Sequence, residues 1–518
     1  MNATAEAQYI SLESVRRPFL DRARDSSKLT LPYLIPEDGH NSHSRIETPF
    51  QGIGARGVNN LASKLLLALL APNSPFFRLN FDENVLRQEG ATDEIITEME
   101  AALQRVEESV MEEVSRQSYR VGIHEALKHL IVSGNSLLYL PEEGGLRVFH
   151  LDRFVVQRDP MGHPLKIITK ETLSYNTLSD ELKAAAGFNE SDSAEKNCDL
   201  FTCVKLEGDN WFVHQEIKGN IVPGSEGRFT KNNLPYLPLR FSKIDGEDYG
   251  RGYVEEYMGD LISLEKLTQA IVEGSAAAAK VLFLVNPNGT TRAKTLAESP
   301  NGAITQGNAA DVSVLQLDKF NDFRIASETI NTIKDRLGHA FLLTSGVVRN
   351  AERVTAEEIR MLTMELESSL GGLYSLLSNE LQLPMVMRVM DVMSKKKMLP
   401  KLPKDLVKPV IITGIEALGR GNDLQKLDLF LAGAAQVVGP QAIGQFVNVE
   451  EYFKRRATSL GIKTQGLIKT QEQIQQEMQQ AQMMSMAEKA APQGAAALGN
   501  ITRDAMATPE QEEAPVEE

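Results

Sequence analysis

Cysteine is almost missing from this chain: Cys198 and Cys203 are the only two in 518 residues. His214 is the only histidine near them, so they form neither a CxxC pair nor half of a zinc site, and no metal is expected. Two reduced thiols in a reducing compartment are the expectation. Long apolar runs are missing as well. The longest blocks, such as 65–72 and 281–285, fall far short of the ~18 residues of a membrane span. Residues 1–20 mix Glu6, Glu13, Arg16 and Arg17 among apolar side chains, unlike a signal peptide. Neither export nor a membrane is implied. A basic excess is missing too, with 55 Lys and Arg against 70 Asp and Glu and a formal net charge of -15. A surface built to grip phosphates or anionic lipid needs the opposite sign.

What is present is the composition of a folded chain, 42% hydrophobic and 24% charged, which excludes disorder of the whole. At roughly 100–200 residues per domain, the length allows about three or four domains or one chain organised around an assembly axis. Apolar residues recur at helical spacing up to about residue 143, over 61–70, 95–114 and 123–132. From 146 to 243 the period changes to two, with β-branched clusters between Gly, Asp and Pro turns, which predicts an antiparallel β-rich insert. Val254, Tyr257, Leu261, Leu264, Leu267 and Ile271 then mark one face of a helix expected to run to about 280, a rod of roughly 40 Å. A turn-rich segment with short strands near 281–285 and 312–317 follows. A second helix carries Ile330, Ile333, Leu337 and Phe341, so two long helices flank a small β-rich cap. After a polar loop, 345–354, Thr355 and Glu358 have capping-box spacing. The helix they open keeps leucines on one face and is expected to stop at Pro384. A strand is expected at 410–413, helices to about 482, and a disordered tail at 487–518 from its Ala, Gln, Pro and Glu content.

Several patterns suggest chemistry and fail on spacing. Gly52, Gly54 and Gly57 spell GxGxxG, with Asp82 some way on, but no strand precedes them, because 44–49 contains a proline and one β-branched apolar residue. A flexible turn leading into a packed helix is the alternative. His124, Glu125 and His129 form HExxxH, which sets the second histidine about 140° around the helix from the first, so the two cannot share one zinc. No phosphate-binding loop, nucleophile elbow or EF-hand loop occurs. The basic runs 395–397 and 454–456 read as solvated helix ends, and Met385, Met387, Met390 and Met393 as adaptable packing.

The stretches GARGVNNLASKL at 54–65, SYR at 118–120, EALK at 125–128, GNSLLYLP at 134–141 and VVQRD at 155–159 closely resemble one family. The likeness continues through DGE at 245–247, YGR at 249–251, EEY at 255–257, LVNP at 284–287, RVTAEEIR at 353–360, LGG at 370–372 and GIEALGRG at 414–421. It is similar to the portal, or head-to-tail connector, proteins of short-tailed bacteriophages of the autographivirus type. The resemblance spans nearly the whole chain in order, except the tail after about 485.

The resemblance implies an α+β, mainly α portal fold assembled as a ring, usually of twelve subunits, at one capsid vertex of the virion, with double-stranded DNA passing through a central channel. It names the parts. Residues 1–249 would be the wing, 250–280 the first stem helix, 281–321 the clip and 322–344 the second stem helix. Residues 345–354 would be the tunnel loop, and 355–486 the long wing helix, a wing strand and the crown helices. The implied partners are the major capsid protein and scaffold, internal core proteins, the terminase large subunit and then tail tubular or adaptor proteins. Assembly would take place in the host cytoplasm. No cofactor and no enzymatic activity are implied. Arg349, Asn350 and Arg353 would face DNA in the tunnel loop; alternatively Arg349 and Arg353 pair with Glu352 or Glu357 at a subunit contact. Arg292 and Lys294 would form the clip contact, and Leu261, Leu264, Ile271, Ile333 and Leu337 the stem's self-assembly face. A nucleotide-binding enzyme and a different ring protein of the tail remain alternatives. Rings with a central hole in negative-stain micrographs would favour the portal.

Overall fold

The computed structural model describes residues 4–40, 44–70, 75–81, 86, 88, 92–187, 197–278, 282–315, 320–343, 366, 370, 372–400, 407–411, 428–434, 436, 437, 439, 447, 452 and 453. The chain forms two units, Met1–Glu416 and Ala417–Glu518. The fold is α+β with more helix than strand.

Helix α1 (Ala5–Lys28) begins where the Thr4 hydroxyl accepts from the Ala7 amide at 3.3 Å, satisfying one of the orphan donors of the first turn. Its buried side carries Tyr9, Leu20 and Ala23, and also Arg16, which is 1% exposed. The Arg16 Nη1 donates to the Tyr9 hydroxyl at 2.8 Å and the Asp152 carbonyl at 2.7 Å, and Nη2 donates to Glu13 at 2.8 Å. A guanidinium can be buried here because these oxygens replace its water. Helix α2 (Ile53–Leu69) starts earlier than its apolar run suggested. Strand β1 (Phe77–Phe81), α3 (Asp93–Arg116) and α4 (Tyr119–Ser133) follow, and α2 and α4 pack together around Leu61, Leu65, Ile123 and Leu127.

The β-rich region is antiparallel throughout. Its strands are β2 (Asn135–Tyr139), β3 (Arg147–Phe149), β4 (Phe154–Arg158), β5 (Pro164–Ser174), β6 (Asn197–Glu207), β7 (Asn210–Ile217), β8 (Asn220–Ile221), β9 (Gly227–Thr230) and β10 (Tyr236–Arg240), with a short helix α5 (Asp180–Ala185) between β5 and β6. They form a sheet ordered β10-β2-β3 and a larger one running β4-β5-β6-β7-β8, with β9 also on β7. Side chains occupy outward amides at the edges. On β4, the Val156 amide donates to the Tyr249 hydroxyl at 3.0 Å and the Arg158 amide to Asp248 at 2.8 Å. On β10, the Arg240 amide donates to Glu380 at 3.1 Å. On β1, the Leu79 amide donates to Glu107 at 2.7 Å. Strand β1 pairs on its other side with a late strand, Val407–Ile411. There Pro409 stands opposite Leu79 and removes the amide that would face out from the far edge.

Helices α6 (Tyr253–Glu256) and α7 (Met258–Ala278) stand where one helix was expected. The chain breaks at Tyr257, with φ −110° and ψ 14°, where its ring packs on Tyr253 and Phe341. From Met258 to Ala278 the straight rod spans 21 residues, about 31 Å; residues 279–281 lie outside the described residues. After it come β11 (Leu282–Val285), α8 (Ala293–Glu298), β12 (Val312–Leu315) and α9 (Phe320–Ala340). Further on, α10 (Leu373–Leu377) passes through a π-helical turn, Ser378–Gln382, into α11 (Leu383–Lys395), and then comes β13 (Val407–Ile411). Pro384 was expected to stop this helix and does not. It lacks the amide for an ordinary helical bond, and the wider turn just before it accommodates the ring. That turn presents Glu380 to Arg240, and it lets Gln382 donate to the Leu69 carbonyl at the end of α2 at 2.8 Å.

The second unit is described only in part. The residues 428–434 are helical, and the Tyr452 hydroxyl donates to Asp428 at 2.6 Å. The loop 345–354, the capping box at Thr355 and the tail 487–518 lie outside the described residues.

Candidate functional site

The two helices α7 and α9 run antiparallel. Near the start of α7, Asp260 accepts from Arg336, near the end of α9, at 2.7 Å. Near the end of α7, Gly274 faces Phe323, near the start of α9, so closely that a Cβ there would lie 2.8 Å from the ring. Between those contacts, Leu261, Leu264, Ile333 and Leu337 are buried and Ile271 packs half-buried beside them. All this burial occurs within a single chain, so the stripe is the seam of the helix pair. The outward positions include Ile262, Val272 and Ile325, the last 59% exposed.

The cap at the far end of this pair is held by one carboxylate. Asp311 Oδ2 accepts from the amides of Thr290 at 2.7 Å and Thr291 at 3.1 Å, and from both threonine hydroxyls. These bonds, the Thr291 amide first, hold the Asp311 carboxyl below its ordinary pKa. Strands β11 and β12 pair from Leu282 with Leu315 to Val285 with Val312. Phe283 and Leu284 remain exposed. Arg292 and Lys294 are exposed at the start of α8, with Lys294 Nζ 3.9 Å from Glu298. They are thus available for contact, while Arg349, Asn350 and Arg353 lie outside the described residues.

At its other end the pair meets the N-terminal helices. Two glycines of GxGxxG lie inside α2 rather than in a turn before it. A Cβ on Gly54 would lie 2.4 Å from the Leu29 carbonyl oxygen, and one on Gly57 would lie 2.6 Å from the Phe341 ring. Their small size lets α2 approach α1 and the end of α9. A carboxylate of α7, Glu265, accepts from the amides of Phe50 and Gln51 at 2.9 and 3.1 Å and holds the segment entering α2.

The HExxxH histidines go to different neighbours. His124 lies 3.3 Å from the Ser63 hydroxyl, while His129 stacks on His150 with centroids 6.2 Å apart. Burial pulls His129 down to about 3 and His150 to about 4. Both thiols are free, and burial pushes Cys203 up to about 11. Among the described residues no cluster of His, Cys, Asp or Glu is grouped to hold a metal, and no helix is long and apolar enough to cross a membrane.

Three of the stretches that carried the sequence resemblance, 134–141, 155–159 and 249–251, meet at one joint. Asn135 binds Gly250, Tyr249 binds β4, and the half-buried Arg158 donates to the carbonyls of Asp248, Gly162 and Pro238 at 2.9–3.0 Å. Burial lowers the Arg158 guanidinium to about 10. Sequence reading missed Lys64, which is 2% exposed. Its signal was present: a lysine three residues after Leu61 and one before Leu65, on the apolar stripe of a helix.

Residues 2–468 match the model of the bacteriophage head to tail connecting protein. The chain belongs to that family. Among curated proteins it is 40% identical over 514 residues to the portal protein of Escherichia phage T7, covering 97% of this chain and 96% of that one. It is 39% identical to the portal protein of Enterobacteria phage T3, over 96% and 94% of the two chains. The portal protein of Enterobacteria phage SP6 is 33% identical over 90% of each. A solved chain from the neck of an empty GTA particle has a TM-score of 0.37 and 11% identity over 80% of this chain and 90% of that one. Membership rests on the sequence relatives. The family placed by resemblance is thus the family found, and its members are structural components at the junction of phage head and tail.

Proposed function

We propose that this chain is the portal of a short-tailed phage: a ring, of twelve copies, at one capsid vertex, through which double-stranded DNA enters during packaging and leaves at ejection. The observation that carries this is the 40% identity to a portal protein along 97% of the chain. In this reading α7 and α9 are the stem, the β11–β12 cap is the clip, and the N-terminal helices and sheets are the wing. The clip, with exposed Arg292 and Lys294, docks the terminase motor and later tail proteins, while the wing meets the capsid protein, scaffold and internal core. The ring nucleates the procapsid, assembled in the host cytoplasm. Residues 345–354 are the tunnel loop, and Arg349, Asn350 and Arg353 guide DNA. The net charge of -15 suits a conduit that must hold DNA on its axis without binding it. Leu261, Leu264, Ile271, Ile333 and Leu337 serve self-assembly by fixing the stem's shape, which offers its outward face to neighbouring copies.

Negative-stain microscopy of the purified protein tests the reading. Rings with a central hole, of twelve-fold mass in native mass spectrometry, are expected. Monomers or dimers at high concentration, or a stoichiometric bound nucleotide, would overturn it in favour of an enzyme.

A further inference from the structure

Helix α9 ends at Ala340, where the amides of Phe341, Leu343 and Leu342 meet the carbonyls of Leu337, Gly338 and His339; the carbonyls of Ala340 and of the two residues after it need donors from elsewhere. Three side chains of the N-terminal and stem-base helices supply them. The Tyr253 hydroxyl donates to the Ala340 carbonyl at 2.9 Å. Asn60 Nδ2 donates to the carbonyls of both Phe341 and Leu342 at 3.0 Å. Lys64 Nζ donates to the Leu342 carbonyl at 2.9 Å. Leu342 is also left-handed, with φ +54°, a conformation that costs a branched residue energy unless its surroundings hold it. A lysine that is 2% exposed is rare in a protein interior. Its ammonium costs several kcal/mol to desolvate, and capping a helix end of negative dipole is one arrangement that offsets this. Gly57, one turn before Asn60 and two before Lys64, lets the Phe341 ring lie against α2, and Tyr253 and Tyr257 pack on the same ring at 5.7 and 5.8 Å.

We infer that Lys64 is a positioning residue: with Asn60 it clamps the backbone of Phe341 and Leu342 to α2, while Tyr253 ties the adjoining Ala340 carbonyl to α6. The clamp thereby sets where the chain leaves the stem just ahead of 345–354. The assignment of 345–354 to the channel rests on the proposed portal function; the clamp itself stands on the bonds above. Its consequence is that α2 and the end of α9 move as one body. A displacement of α2 is therefore carried with little slack to Leu342, the point from which the chain heads toward 345–354.

Two variants test this in the full-length protein. Lys64→Met keeps the length and removes the donor, and Tyr253→Phe removes a single oxygen. Hydrogen exchange by mass spectrometry is expected to quicken about tenfold in peptides covering 338–343, the effect of losing a buried bond to a charged or polar donor. Peptides from α7 and from the β4–β7 sheet should exchange as before, and rings should still form. Heads built with either variant should lose packaged DNA faster than wild type, and Lys64→Arg, which keeps a donor, should recover part of the loss. Unchanged exchange at 338–343 in both variants would overturn the clamp. So would a rise across the whole chain with loss of rings in both, because the residues would then be merely structural. Faster local exchange with normal DNA retention would overturn the positioning role. Absence of rings from the wild-type protein would sink the portal reading, and the exchange result would still decide the clamp.

Discussion

The carboxamide of Asn135 holds the backbone of Gly250 from both sides: Nδ2 donates to its carbonyl and Oδ1 accepts from its amide, each at 2.8 Å. The grip joins the start of β2 to the strip that leads into α6. It requires close approach, since Gly134, at φ +74°, would place a Cβ 2.3 Å from the Arg251 carbonyl carbon. Asn135→Ala removes this partner from three buried backbone groups, the amide and carbonyl of Gly250 and the carbonyl of Ser133, at about 2–4 kcal/mol. A clear drop in melting temperature is expected by calorimetry, and an unchanged melt would mean the joint relaxes around the loss.

Acid should destabilise the chain through the stacked histidines. Their folded pKa values, about 3 for His129 and about 4 for His150, lie below the ordinary 6.5, so the unfolded chain binds more protons as pH falls below about 6.5. Stability contributed by the neutral pair is whole above that pH and is lost progressively toward about pH 4. Denaturant titrations at a series of pH values should show this slope, and His129→Gln should flatten it.

The glycines of GxGxxG should differ sharply in tolerance. Gly52 has open space around its Cβ position, whereas Gly54 meets a backbone oxygen at 2.4 Å. Gly52→Ala should leave the melting temperature within error, and Gly54→Ala should cost about 1–3 kcal/mol by overpacking. A nucleotide site would reverse that order in a binding assay.

Reversing both charges at the clip, Arg292→Glu with Lys294→Glu, should leave rings intact and weaken motor docking. In-vitro packaging at the wild-type rate would place the motor contact elsewhere.

Arg349→Glu with Arg353→Glu should give assembled rings and procapsids that fill poorly or leak DNA. Full, stable virions from this variant would show that positive charge in 345–354 does not guide DNA.

Patterns of period were legible in the sequence because they follow from burial on one side. The two helices flanking a cap and most of the antiparallel strands appeared where β-branched or leucine spacing demanded, whereas the strands Phe77–Phe81 and Asn135–Tyr139 lie in the part expected to be helical up to about 143, and the late strand, expected at 410–413, runs Val407–Ile411. Family-like stretches were legible as motifs but not as a joint, since nothing in their spacing says that Asn135 meets Gly250. Tertiary contacts decided the rest. The break at Tyr257 follows from an aromatic cluster completed by Phe341, and Pro384 was absorbed by a π-helical turn whose Glu380 and Gln382 bind distant backbone. A helical stripe such as that of Leu261 and Leu264 calls for neighbouring helices without saying which ones cover it. Their burial against α9 is a property of the hairpin.

The occupied strand edges bear on how separate copies of the chain meet. Tyr249, Asp248, Glu380 and Glu107 fill outward amides on three strands, and Pro409 deletes one on a fourth. An open strand edge recruits any other open edge, including that of an identical molecule, and such recruitment has no natural stopping number. With those positions taken, newly made copies can accumulate in a crowded solution without laddering through these strands. If the chain forms the ring proposed above, association through surfaces whose geometry closes on itself would set the count of subunits by angle rather than by supply.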